Sequence, residues 1–135
     1  MLADEVARYL ADNLVGTFDA VGATGNIFVN NLPAKPDTAI AVLPGAGRRG
    51  ESTPYYFPSI QVIVRVGGAS ALTDTLPMKV FDTLNLFCGG VFVSGGEYVV
   101  RCDAVAPPAR LGPDKNGRQE YSINFDLMVA RTPLN

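Results

Sequence analysis

A chain of 135 residues, 47% hydrophobic and 18% charged, has the size of one compact domain with a modest core and argues against a second. Its formal net charge is only -2 with no long run of either sign, which gives no electrostatic footprint for DNA or RNA and no basic amphipathic helix for a membrane surface. The apolar runs fall far short of the roughly 20 residues that span a bilayer, and the start MLADEVARYL is acidic where a signal peptide is basic and then apolar, so a cytosolic product is expected.

Histidine is absent. That removes Ser-His and Cys-His nucleophile pairs, imidazole acid–base work and nearly every histidine metal site. Cys88 and Cys102 stand 14 positions apart without CxxC spacing, so a zinc site lacks ligands and both are expected as reduced, buried small side chains. A disulfide fits a cytosolic origin poorly. The carboxylates are scattered, and Asp74 and Asp82, which share a helix face, lie two turns apart. Ser59, Ser70 and Ser94 lack both a GxSxG elbow and a histidine. The glycine-rich GAGRRG at 45–50 matches neither phosphate-loop pattern. No catalytic residue, metal or cofactor is assigned, and a non-enzyme is expected.

In chain order, residues 2–14 place Leu2, Val6, Tyr9, Leu10 and Leu14 at three- and four-residue steps, with Asp4, Glu5, Arg8 and Asp12 mostly opposite. This predicts an amphipathic helix that stops by Gly16. Short strands follow at 26–30 and 39–43, separated by the turn-forming NLPAKPDT. The run AIAVL shows no polar alternation, which suggests burial on both faces. The connection 44–54 is a candidate surface arm, and Arg48-Arg49 within it is either a solvated pair or a contact to a neighbouring subunit.

The stretch 55–87, which reads as strand, turn and helix, organises the chain. In its strand, 58–66, Ile60, Val62, Val64 and Val66 fall on one face, Gln61, Ile63 and Arg65 on the other, and Pro58 suits a strand start. Tyr55-Tyr56-Phe57 before it has little basic charge around it for stacking on bases, so packing or a protein interface is the better use. A second helix is predicted over 69–87 from Leu72, Leu76, Val80, Leu84 and Phe87, ended by Gly89-Gly90. Pro77 either kinks it or lies in the first turn of a helix that begins near Leu76.

A hairpin is expected from 91–93 and 98–104, with Tyr98, Val100 and Cys102 on one face and Val99, Arg101 and Asp103 on the other, where Arg101 and Asp103 can pair. The connection 107–118 is turn-rich, and Asn116-Gly117 signals a tight turn before the last strand. That strand alternates from 119 to 131, with Tyr121, Ile123, Phe125, Leu127 and Val129 on one side. Its length predicts that part of it projects with the preceding loop and forms an antiparallel hairpin with 98–104.

The Leu-Pro-Gly strand end at 41–45, the FPSIQVIVRV strand at 57–66, the helix directly after it and the closing SINFDLMVA strand resemble the minor capsid and tail terminator proteins of long-tailed bacteriophages. The resemblance covers nearly the whole of residues 1–135. It implies one α+β domain, a mixed or mainly antiparallel sheet with two helices on one face and two long projecting loops or hairpin arms. It further implies a homo-oligomeric ring, commonly hexameric, that caps the tail tube and meets the head connector or a head completion protein, with DNA only in transit and no membrane. Arg48, Arg49, Glu51, Tyr55, Tyr56, Arg110, Lys115 and Arg118 are the candidate subunit or partner contacts. Another neck or tail tube role is the alternative. From a different class, a small-ligand module or carboxylate hydrolase would need a concave pocket with converging Asp or Arg near Asp74, Asp82 or Arg101.

Overall fold

The computed structural model describes residues 2–13, 15–19, 25–45, 55–67 and 75–130. In chain order the elements are helix α1 (Leu2–Asp12), strands β1 (Ile27–Val29), β2 (Ala39–Pro44), β3 (Tyr55–Tyr56) and β4 (Ser59–Val66), helix α2 (Thr75–Leu84), and strands β5 (Phe87–Val91), β6 (Tyr98–Ala104), β7 (Ala109–Pro113) and β8 (Gln119–Ala130). The eight strands make one sheet in the order β1-β2-β4-β8-β6-β5, with β3 and β7 also paired to β8. The β1–β2 pair is parallel and the others are antiparallel, so the sheet is mixed and the domain α+β, as expected.

Strand β8 is the spine, which overturns the expectation that part of it projects. On one edge it pairs with β4 over Gln119–Asp126 and then with β3 at Val129 and Ala130. On the other it pairs with β7 over Gln119–Ser122 and then with β6 over Phe125–Ala130. Its length therefore comes from taking two partners in series on each edge. The expected antiparallel pairing with 98–104 does occur.

The alternation read from the sequence sets the core. Ile60, Val62 and Val64 on β4 stand opposite Phe125, Ile123 and Tyr121 on β8, and Ile40 and Val42 on β2 stand opposite Val64 and Val62. All are buried. On the same face, Val6 of α1 and Leu84 of α2 meet Ile60, Cys102, Phe125 and Leu127, so both helices cover one side of the sheet. Strand β2 is buried on both faces from Ala39 to Val42, in keeping with its unbroken apolar run.

Helix α1 presents Leu2, Val6 and Leu10 to the core as its spacing predicts. It ends at Asp12, before Gly16. Glu5, expected on the solvent side, is buried: its carboxylate accepts the backbone N–H of Glu97 at 2.8 Å and so ties the β5–β6 turn to the helix. Leu14 lies outside the described residues.

A parallel β1–β2 pair needs a return crossover, usually a helix. Here residues 30–38 make it without one, so their carbonyls need other donors. Two arginines supply them. Arg65, only 2% exposed, donates to Asp37 O at 3.0 Å and Pro36 O at 2.6 Å. Arg118, also buried, donates to Ala34 O, to Asp114 Oδ2 at 2.8 Å and to Asp37 at 3.5 Å. The Asn116-Gly117 turn forms as expected, with Gly117 at φ 76° and the Asp114 carboxylate accepting the N–H groups of Asn116 and Arg118 at 2.9 Å each.

Helix α2 places Pro77 in its first turn, where a missing N–H costs no helical bond. It is shorter at its C-terminal end than the apolar stripe suggested. Asn85 and Leu86, the latter at φ 65°, turn the chain within two residues, and Phe87 opens a strand instead of closing a helix. The reason is aromatic packing: the Phe87 ring lies 4.4 Å from that of Phe92 and 5.3 Å from that of Tyr9. Gly89-Gly90 accordingly sit inside β5. Residues 69–74 of the expected helix lie outside the described residues.

Candidate assembly surface

Among the described residues, none covers the face of the sheet away from the helices over the C-terminal half of β8, where Asn124 and Asp126 are exposed. What it displays is decided by a β-bulge. Val99 pairs with Val129 and Arg101 with Met128, so Val100 is an extra residue without a partner. The simple alternation predicted for 98–104 is therefore broken: Val99 and Cys102 face the core, while Tyr98, Arg101 and Asp103 share the outer face. Strand register then aligns Tyr55, Ala130, Tyr98 and Val91 across four strands. Tyr55, Tyr98 and Val91 are all well exposed, an apolar row rather than isolated residues.

Beside that row lies a groove of about 520 Å³ bounded by Phe57, Pro58, Arg101, Asp103, Asp126 and Met128. The Arg101 guanidinium bonds Asp103 at 2.6 Å, the pairing expected from sequence. Asp126 stands directly across the ladder from Asp103. Sequence reasoning paired Asp103 with Arg101 but had no means to bring Asp126 beside them, because that proximity comes from register between distant segments.

The eight candidate contacts separate by environment. Arg48, Arg49 and Glu51 lie outside the described residues. Tyr55 faces outward, whereas Tyr56 turns to the core side, where its hydroxyl donates to the Glu97 carboxylate. Arg110 is exposed and donates to Gln119 Oε1 at 2.6 Å and 3.1 Å. Lys115 is exposed at the tip of the β7–β8 hairpin. Arg118 is spent within the chain on the crossover. Burial, then the charge of Arg118, lowers the pKa of Arg65 against the pull of Glu120, Asp114 and Asp37. Desolvation pushes Asp114 up, but the Arg118 backbone and guanidinium and the Asn116 N–H outweigh it and hold the carboxyl below its ordinary value.

The cysteines differ from the expectation that both are buried. Cys102 is buried, and Cys88 is exposed because it pairs with Arg101 and shares its outer face. Both are free thiols. Burial, with Asp103 and Asp126 adding, pushes the Cys102 thiol up to about 12. In the native protein one thiol is expected to react with an aromatic disulfide reagent at neutral pH, and the second only after unfolding; two fast equivalents would contradict the burial. An unfolded Cys102 ionises near 9.0, while the folded one keeps its proton to about 12. Its contribution to stability is thus complete below pH 9 and lost toward pH 12, by up to about 1.4 kcal/mol per pH unit. Cys102→Ala should lose stability less steeply over that window in urea titrations.

Among the described residues, no helix is long and apolar enough to cross a membrane, and no group of three or more acidic or thiol side chains is placed to hold a metal ion. The molecule is a small α+β domain with helices on one face of its sheet and, among the described residues, a partly apolar exposed face on the other. Residues 9–131 match the bacteriophage tail terminator protein family, and the chain belongs to that family. It is a structural protein of the phage tail, and its place is the virion. None of the curated proteins compared with the chain matches it.

Proposed function

We propose that copies of this chain form a homo-oligomeric ring, a hexamer, that caps the tail tube and joins it to the head connector or head completion protein. The observation that carries this is the family match over residues 9–131, which spans the whole sheet. The surface agrees with it: a ring subunit must offer its neighbours two different faces, and here an open sheet face and a basic hairpin tip lie at opposite ends of β8. Tyr55, Arg110 and Lys115 remain candidate contacts, together with Arg48, Arg49 and Glu51 of the connection 44–54. Arg118, and Tyr56 through Glu97, support those contacts from within. A net charge of -2 suits DNA that passes without being held. Assembly takes place in the host cytoplasm before the tail meets the head, and no step requires catalysis.

The alternative is another head-tail joining or tail tube role; the groove beside Arg101 is the concave site that the less favoured small-ligand module or carboxylate hydrolase would need. Light scattering and negative-stain imaging separate the ring from these, first on the chain alone and then with purified tail tubes. Rings with a central hole, free or seated on tube ends, are the expected result. A chain that stays monomeric at high concentration and binds no tube end refutes the ring. Binding to heads in preference to tubes would move the protein to a neck role.

A further inference from the structure

Two surface features answer each other in chemistry but cannot meet within one molecule. The first is the groove of about 520 Å³ on the outer face. Asp103 and Asp126 stand opposite each other there, where like charges repel. Arg101 is engaged by Asp103, so the groove keeps an excess of negative charge beside the apolar Phe57 and Met128.

The second is the β7–β8 hairpin end. Lys115 and Arg110 are exposed there, and Leu111, the extra residue of a bulge between Arg110 and Gly112, is 56% exposed. Cations flank an apolar side chain at the hairpin, and carboxylates flank apolar side chains in the groove. The residues of β8 between Asp126 and Gln119 separate them by roughly 23 Å at a rise of about 3.3 Å each. That strand is paired on both edges, so the hairpin cannot fold back onto its own groove.

We propose that the groove receives the β7–β8 hairpin end of a second copy of this chain, with Lys115 and Arg110 set against Asp126 and Asp103 and Leu111 covering Met128 and Phe57. The contact joins two unlike surfaces, so it repeats head to tail and closes into a ring when the rotation per copy fits. The inference rests on the ring proposed above and names the contact that builds it.

Charge reversal tests it on the full-length chain, with self-association followed by light scattering across a dilution series. Asp126→Lys and Lys115→Glu, each alone, are expected to raise the concentration needed for assembly about tenfold, because like charges then face each other across the contact. The double variant restores the pairing in reverse and should assemble within about threefold of the natural chain, by the same argument. Circular dichroism and urea unfolding of each variant show that the fold is intact. Single variants that assemble like the natural chain, or a double variant no better than the singles, overturn the contact while leaving the ring standing. Asp126→Lys that assembles normally but no longer joins tails assigns the groove to another phage protein and also overturns it. A natural chain that forms no oligomer alone or on tail tubes removes the ring, and this contact with it.

Discussion

Phe125→Ala is expected to cost about 3–5 kcal/mol of folding stability, the range for a large aromatic removed from a tight core. Phe125 is 1% exposed and sits at the middle of the spine strand, opposite Ile60 on one edge and Ala104 on the other. Val6 of α1 and Leu84 of α2 close over the same point, so no single element can collapse into the space without disturbing the others. For a domain whose total stability is of the order of 5–15 kcal/mol, that is a large share. The thermal midpoint should fall by roughly 10–20 °C. Phe125→Leu, which keeps most of the volume, should recover more than half of the loss. Urea unfolding followed by far-ultraviolet circular dichroism measures both, and a Phe125→Ala loss below about 1 kcal/mol would show that the helices are not clamped on this ring.

Leu10→Ala should be the next most damaging, at about 2–5 kcal/mol, but with a different signature. Leu10 is fully buried between α1 and the β1–β2 end of the sheet. Helix α1 packs mainly on those two strands, so its loss should loosen one flank rather than the spine. Hydrogen exchange should speed up first in α1 and at Glu97, whose N–H bonds to Glu5 of the helix, while β8 amides keep their protection. The exposed Asp12 of the same helix is the control: Asp12→Ala should change stability by no more than about 0.5 kcal/mol. Equal effects at positions 10 and 12 would contradict the amphipathic assignment of this helix.

Local pattern carried much of the architecture. The β4 alternation, the AIAVL run, the α1 stripe and the Asn116-Gly117 turn each read correctly because each is decided by neighbours in sequence. What failed depended on distant segments. Phe87 continues a helical stripe, yet aromatic partners at Tyr9 and Phe92 draw it into a strand. Val100 is bulged because β8 sets the register of β6, and no property of 98–104 alone announces it. Glu5 looks like a solvent-side acid until the backbone N–H of Glu97 comes to meet it. Of the candidate contacts, Tyr55, Arg110 and Lys115 could be picked as exposed polar or aromatic residues on loops and edges. Tyr98, Val91, Asp103 and Asp126 could not, since they form one surface only when four strands lie side by side.

The spine strand also fixes an order of events during synthesis. Strand β8 follows β3, β4, β6 and β7 in the chain, and all four pair with it. Until it has left the ribosome, β1-β2-β4 and β5-β6 have no shared neighbour, and the sheet cannot be joined into one. The outer-face row and the groove both span that junction, so neither surface is present on an incomplete chain. If the contact proposed above builds the ring, a truncated product offers no docking face, because that face appears only with the last strand.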